Sequence, residues 1–354
     1  MSRMQAAPRR ILVAGAQVPF VRGGAEWHMA ALARAFRERG FLTDVVSLPF
    51  QWDPREEALR SALAWRVLDF QRAAGQPVDL FVATRFPSYV ARHPLKVLWL
   101  FHPFRQAYDL HDAGIDGFPD TPEGRALHEQ VVALDTRALK ECRRLYTTSR
   151  TNADRLQRYN GLAPEVLRLP LQDVERYRSE PPEDFVLSVG RLDRLKRTEL
   201  FVRAAAYLPA GTRALVVGDG PERAALQTLA ASLGIEDRVS FPGQVDDATL
   251  KDLYARAGAV YYAPHDEDYG LVTIEAMQSR RGVVTTRDAG GPLEFVADGV
   301  TGLVVAAEPE AIGAALSRLL QDKALARRLG DAGFEAVRSL DWDTVVDSLT
   351  QDLA

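Results

Sequence analysis

The chain predicts an α/β fold of two doubly wound domains facing across a cleft, and three observations carry that reading. Short β-rich runs alternate with helical patterns in both halves, the signature of βα units that build parallel sheets. Between the halves, residues 169–184 hold Pro170, Pro181, Pro182 and seven charged residues, break both periodicities and read as an interdomain linker. At 354 residues the chain is long enough for two cores of ordinary size. The expected boundaries are 1–172 for the first domain and 173–338 for the second.

In the first half, strands are expected over residues 10–14, 42–48, 79–84, 95–101 and 144–148. A helix over residues 25–39 is closed by Gly40 as a C-cap. A second helix, from Glu123 to about Arg143, carries Leu127, Val131, Leu134, Ala138 and Cys142 as an apolar stripe, which marks a core-facing side. In the second half, strands are expected over 185–189, 213–217, 238–241, 259–263, 282–286 and 302–305, with helices between them. Open sheets of this kind bind ligands at the carboxyl ends of their strands.

Composition removes several classes of function. Apolar residues make up 47% and charged residues 26%, as in a globular protein, and no apolar run approaches the roughly 20 residues of a membrane helix. The basic N-terminus lacks a sustained apolar stretch, so a cytoplasmic location is expected. Cys142 is the single cysteine, which excludes an intramolecular disulfide and a thiolate metal cluster within one chain. A net charge of −4 argues against nucleic-acid binding. There is no HExxH, CxxC, GxSxG or GxxxxGK[ST] motif. Asp266-Glu267-Asp268 spells D-x-D, a metal-binding pattern elsewhere, but here it opens a helix, and no metal is expected.

The richest stretch is YYAPHDEDYGLVTIE, Tyr261 to Glu275. A strand end, a proline turn and a helix starting near Gly270 or Leu271 would aim free backbone N–H groups at an anion. Glu267 precedes that helix and Glu275 lies inside it. Eight residues of ideal helix would separate them by about 12 Å, beyond the reach of a paired acid and base, so separate tasks are expected: one for sugar hydroxyls, one for a ribose. Gly190-Arg191 closes the strand FVLSVG, and Lys196, one of only five lysines, follows at a helix start, so both cations are placed to reach a diphosphate. Gly23 and Gly24 occupy the first βα loop, where a backbone without Cβ atoms approaches an anion closely. DAGGP, Asp288 to Pro292, supplies a second glycine pair at another strand end.

With these segments together, the chain resembles the retaining glycosyltransferase family 4, of GT-B fold with two Rossmann-like domains. The resemblance rests on GGAE, GRLDRLK, VGDGPERAALQTLA, VSFPGQV, the E-x7-E of Glu267 to Glu275, and GGPLEFVADGVTGLVV. It implies a nucleotide-sugar donor on the second domain, an acceptor on the first, and transfer of a hexose with retained anomeric configuration, mannose being the first candidate. No metal or other cofactor is implied. By matching position, Arg191 and Lys196 neutralise the diphosphate, Glu267 contacts the transferred sugar and Glu275 holds the ribose. Tyr269, Gly270, Leu271 and Val272 complete the donor site at the helix start. Gly23 and Gly24 approach the phosphates from the other domain, and His102, after the strand LKVLWLF, resembles the family's active-site histidine. Residues 339–354, with Trp342, resemble a terminal helix that packs back on the first domain.

After Glu275 the chain departs from the family pattern, with Ser279, Arg280, Arg281 and Gly282 where a small residue, glycine, a basic residue and proline are common. The acceptor is left as a glycan, a lipid-linked saccharide or a small molecule. Arg137, Lys140, Arg143 and Arg144 leave open a peripheral contact with anionic membrane at its inner face, beside their ordinary reading as a solvated helix end. The other histidines, His28 among them, show no metal-ligand spacing. Competing readings are an epimerase or phosphorylase on the same fold, and a scaffold subunit without chemistry.

Overall fold

The computed structural model describes residues 8–20 and 24–353. The chain divides into two compact units, Met1–Pro170 with Asp341–Ala354, and Leu171–Leu340. The first unit contains β1 (Arg10–Gln17), α1 (Gly24–Glu38), β2 (Leu42–Pro49), α2 (Glu57–Val67), a hairpin of β3 (Arg72–Ala73) and β4 (Gln76–Pro77), β5 (Leu80–Arg85), β6 (Lys96–His102), α3 (Asp109–Asp112), α4 (Pro122–Lys140), β7 (Arg144–Thr147), α5 (Arg150–Asn160) and β8 (Glu165–Val166). Apart from the hairpin, its strands form one parallel sheet in the order β2-β1-β5-β6-β7-β8. The continuous apolar runs of β5 and β6 are buried on both faces, as a sheet covered by helices on each side requires.

α1 turns Met29, Leu32, Ala33 and Phe36 inward. It ends where Gly40 N–H donates to the Arg37 carbonyl at 2.9 Å and Phe41 N–H to the Phe36 carbonyl at 3.1 Å. α4 starts with the Thr121 hydroxyl accepting from Gly124 N–H at 3.0 Å and with Pro122 in its first turn. Val131 and Ala138 of its apolar stripe are buried, and Leu127, Leu134 and Cys142 pack against the same core.

The second unit contains β9 (Phe185–Val189), α6 (Thr198–Ala204), β10 (Arg213–Val217), α7 (Arg223–Ser232), β11 (Val239–Gly243), α8 (Asp247–Arg256), β12 (Ala259–Tyr261), α9 (Leu271–Gln278), β13 (Val283–Thr286), β14 (Leu303–Val305), α10 (Pro309–Gln321) and α11 (Lys323–Val337). Its parallel sheet runs β11-β10-β9-β12-β13-β14. Counted within the unit, that order is 3-2-1-4-5-6, the dinucleotide-binding arrangement. The first unit, its small hairpin aside, reads 2-1-3-4-5-6, the flavodoxin-like one. The sheets therefore reverse between β9 and β12 in one unit and between β1 and β5 in the other, and crevices open at such points.

The expected strands appear with shifted ends: β1 runs on to Gln17 and β12 stops at Tyr261. β8 and the β3–β4 hairpin were not expected, because two-residue strands leave no periodicity to read. α12 (Trp342–Thr350) belongs to the first unit. Asp341 caps it by accepting from Thr344 N–H at 2.7 Å, and it buries Val345, Val346 and Leu349. Its Trp342 ring stands edge-on to Trp99 with centroids 6.0 Å apart. None of the helices among the described residues is long and apolar enough to cross a membrane.

Candidate functional site

In the second unit the loops after β9, β12 and β13 meet at the point where the sheet reverses. Asp193, four residues past the end of β9, accepts from Lys196 N–H at 3.2 Å and closes a short 3-10 turn over Arg194–Lys196. That turn presents Lys196, whose ammonium donates to the Glu267 carboxylate at 2.5 Å and to the Tyr262 hydroxyl at 3.4 Å. Both side chains of the pair are largely covered, Lys196 at 24% exposure and Glu267 at 19%. Burial opposes charge on Lys196, yet Tyr262, Glu267 and Asp193 together raise its pKa, and it stays a cation. Arg191 is different: its side chain is 63% exposed, with Nε 3.9 Å from the Asp193 carboxylate.

The segment bearing Glu267 is held by backbone. His265 N–H donates to the Leu195 carbonyl at 2.7 Å, Asp266 N–H to Asp288 at 2.9 Å and Glu267 N–H to Ala289 at 2.8 Å, while the Glu267 carbonyl accepts from Gly291 N–H at 2.7 Å. Contact this close explains the glycine pair of DAGGP. A Cβ at Gly290, where φ is +73°, would lie 2.6 Å from the Glu267 carbonyl oxygen, and one at Gly291 would lie 2.6 Å from the Tyr269 backbone. These glycines let two loops dock together.

α9 begins after Gly270, left-handed at φ +87°, and no side chain caps it. Its first N–H groups and the positive end of its dipole lie at that start, three residues beyond Glu267 in the chain. Tyr269 is buried edge-on against Phe295, Val272 is buried and Leu271 half-buried. Glu275, one turn on, has its own partners: the Tyr254 hydroxyl donates to one carboxylate oxygen at 2.7 Å and the Tyr177 hydroxyl to the other at 3.4 Å. Burial raises the Glu275 pKa, against the pull of both phenols and of the Lys251 charge. Two hydrogen bonds leave a carboxylate further lone pairs with which to accept from a ligand.

Arg197, absent from the sequence reading, ties these loops. It donates to the carbonyls of Ala263 at 3.0 Å and Pro264 at 2.7 Å, to the Thr286 hydroxyl at 2.8 Å and to the Asp288 carboxylate at 2.7 and 2.9 Å. Tyr177, Tyr254 and Tyr262 were missed too. Their hydroxyls meet residues far away in the chain, and only YYAP gave any signal, as a strand.

In the first unit His102 ends β6, half-buried, with Nδ1 3.1 Å from the Pro103 carbonyl. Beside it in register, Arg85 ends β5 and pairs with Glu26 of α1 at 2.5 Å. His28, one turn into α1, stands edge-on to Phe101 with ring centroids 5.5 Å apart. Burial lowers its pKa to about 4, Glu26 opposing and His102 adding to the shift. His28 was passed over in the sequence although it lies four residues beyond Gly24. Gly24 is the exposed first residue of α1, and Gly23 lies outside the described residues.

Set beside known proteins, residues 172–336 match the family described as glycosyl transferases group 1. The D-inositol 3-phosphate glycosyltransferase of Streptomyces griseus is 31% identical over 277 residues, which cover 66% of this chain and 57% of that protein. The chain spans about half the length of the known relatives it matches. Among solved structures, sucrose-phosphate synthase from Thermosynechococcus elongatus matches with a TM-score of 0.78 at 21% identity, over 98% of each chain. Anabaena HepE in complex with UDP-glucose matches with a TM-score of 0.74 at 19% identity, over 97% of this chain and 99% of that one. Likeness at such low identity speaks for the fold, which is GT-B. The family match coincides with the second unit, where Lys196, Glu267 and Glu275 are assembled, and that unit belongs to the glycosyl transferases group 1.

Proposed function

We propose that the protein is a retaining, metal-independent glycosyltransferase that moves a hexose from a nucleoside diphosphate to a hydroxyl of a glycan, a lipid-linked saccharide or a small molecule. The observation that carries this reading is the Lys196–Glu267 ion pair beside the uncapped start of α9, with Glu275 held apart on the same helix. An ammonium and a helix N-terminus supply positive charge for a diphosphate, whose negative charge grows as the glycosidic bond breaks. A carboxylate already bound by an ammonium is a weak nucleophile and a good acceptor for sugar hydroxyls, which suits Glu267 to orienting the sugar. Glu275 takes the ribose hydroxyls. The relatives bear transferase names and HepE is a UDP-glucose complex, which supports transfer over the epimerase, phosphorylase and scaffold readings.

The test is a thermal-shift screen against UDP, GDP, ADP and TDP, since a ligand of the native state raises its apparent stability. Transfer from the matching sugar nucleotide is then followed by NMR, the product expected to keep the donor's anomeric configuration. Activity should persist in EDTA. A protein that binds no nucleoside diphosphate would end the proposal, and a chelation loss restored by manganese would end its metal-independent part.

A further inference from the structure

We propose that Arg197 is a positioning residue for the sugar end of the donor site, a role that rests on the donor reading above. Arg197 follows Lys196 directly, and its backbone is left-handed, with φ 49° and ψ 40°, which an L side chain rarely adopts. Its side chain, 13% exposed, holds that conformation by bonds to two separate segments. The carbonyls of Ala263 and Pro264 lie just past β12, while Thr286 and Asp288 lie at the end of β13. The Arg197 backbone is tied as well, its carbonyl accepting from the Tyr261 hydroxyl of β12 at 3.2 Å. Only a planar fork with five N–H donors spans such a set. The Arg197 guanidinium, chiefly by hydrogen bonding, holds the Asp288 carboxyl well below the usual carboxylate range, so the clamp stays charged at neutral pH.

Both ends of the Lys196–Glu267 pair depend on this clamp. Lys196 is the preceding residue. The Glu267 backbone is bracketed by Ala289 and Gly291, which follow the gripped Asp288, and it comes three residues after the gripped Pro264. Glu275 depends on other supports, since Tyr254 and Tyr177 share no bond with Arg197. Loss of Arg197 is therefore expected to act on the sugar and its bond and to spare the nucleoside.

The experiment compares wild type, Arg197→Ala and Arg197→Gly, with folding followed by circular dichroism. Glycine suits the left-handed backbone, so Arg197→Gly keeps the turn and removes only the clamp. The probes are UDP-glucose, GDP-mannose, UDP-N-acetylglucosamine and ADP-glucose, read as release of diphosphate to water, with the free diphosphates titrated by calorimetry. Both variants should lose at least about tenfold in turnover while the diphosphate affinity stays within about threefold of wild type. Turnover of Arg197→Gly at the wild-type level would overturn the clamp and leave only a backbone requirement. An equal fall in diphosphate affinity and turnover would overturn it in favour of a general structural role. A wild type that neither binds nor turns over any of the four probes would instead overturn the donor reading, and this proposal with it.

Discussion

Tyr254 and Glu275 are joined by a 2.7 Å hydrogen bond from phenol to carboxylate, formed between α8 and α9 with Tyr177 closing from the linker side. The bond fixes which way a half-buried carboxylate faces before any ligand arrives. Because an ionised acceptor makes hydrogen bonds of about 1.5 to 3 kcal/mol, Glu275→Ala should weaken free nucleoside diphosphate roughly tenfold to a hundredfold. Tyr254→Phe, which frees the carboxylate without removing it, should cost about threefold to tenfold by the same scale. Calorimetry with the free diphosphate decides the matter: affinity of Glu275→Ala equal to wild type would remove the ribose assignment.

Lys196 and Arg191 should prove unequal. Lys196 is covered and directed by Glu267, whereas Arg191 stands 63% exposed with a carboxylate 3.9 Å from its Nε. A preorganised stabiliser of developing charge is worth about 2.7 to 4 kcal/mol, or roughly a hundred- to a thousandfold in turnover. Lys196→Ala should show that loss at saturating donor, and Arg191→Ala a smaller one, because an exposed side chain must be immobilised before it acts. Retention of more than about a tenth of turnover by Lys196→Ala would remove it from the leaving-group role.

Gly290→Ala should damage the site without touching a catalytic side chain. Its Cβ would fall 2.6 Å from the Glu267 carbonyl oxygen and 2.7 Å from the Glu267 nitrogen, on a backbone already at φ +73°. Crowding and strain of this kind cost about 1 to 3 kcal/mol each, and relief requires moving the Glu267 loop. Gly15→Ala is the control: its Cβ would meet the far end of the flexible Met29 side chain at 2.2 Å. Thermal unfolding and turnover should both fall for Gly290→Ala, with turnover the more affected. Wild-type turnover in that variant would contradict the docking role.

The fold was legible because buried parallel strands write themselves as apolar runs and because the prolines of the linker mark where one unit ends. Edge pieces such as β8 were not, since two residues carry no period. Within the site, the charges Lys196 and Glu267 stood out at strand ends. Their supports did not: Tyr254 and Tyr177 reach Glu275 across 21 and 98 positions, and Arg197 reaches Asp288 across 91. Such partners are chosen by how the loops stack, which no local pattern records. The DAGGP glycines show the reverse case, a pattern that was visible but whose cause was loop docking.

Buried Asp135 and half-buried His28 of the first unit should tilt its stability against pH in opposite directions. Asp135 accepts hydrogen bonds from Tyr89 and Tyr108, and burial, against those bonds, raises its pKa from 3.8 to about 6. Between these values the folded state keeps a proton that the unfolded chain releases, so this component of stability falls as pH rises toward 6. His28 works the other way. Its pKa drops from 6.5 to about 4, so across that range the unfolded chain binds a proton that the folded state refuses, and stability falls as pH drops. At 1.36 kcal/mol per unit the Asp135 component is about 3 kcal/mol, and that of the part-exposed His28 ring is smaller. The two oppose each other in the wild type and separate in variants. Urea unfolding between pH 4 and 7 should show Asp135→Asn gaining on the wild type as pH rises, and His28→Gln gaining on it as pH falls. A difference from wild type that stays level across the range, for either variant, would mean that the group titrates alike in the folded and unfolded chain.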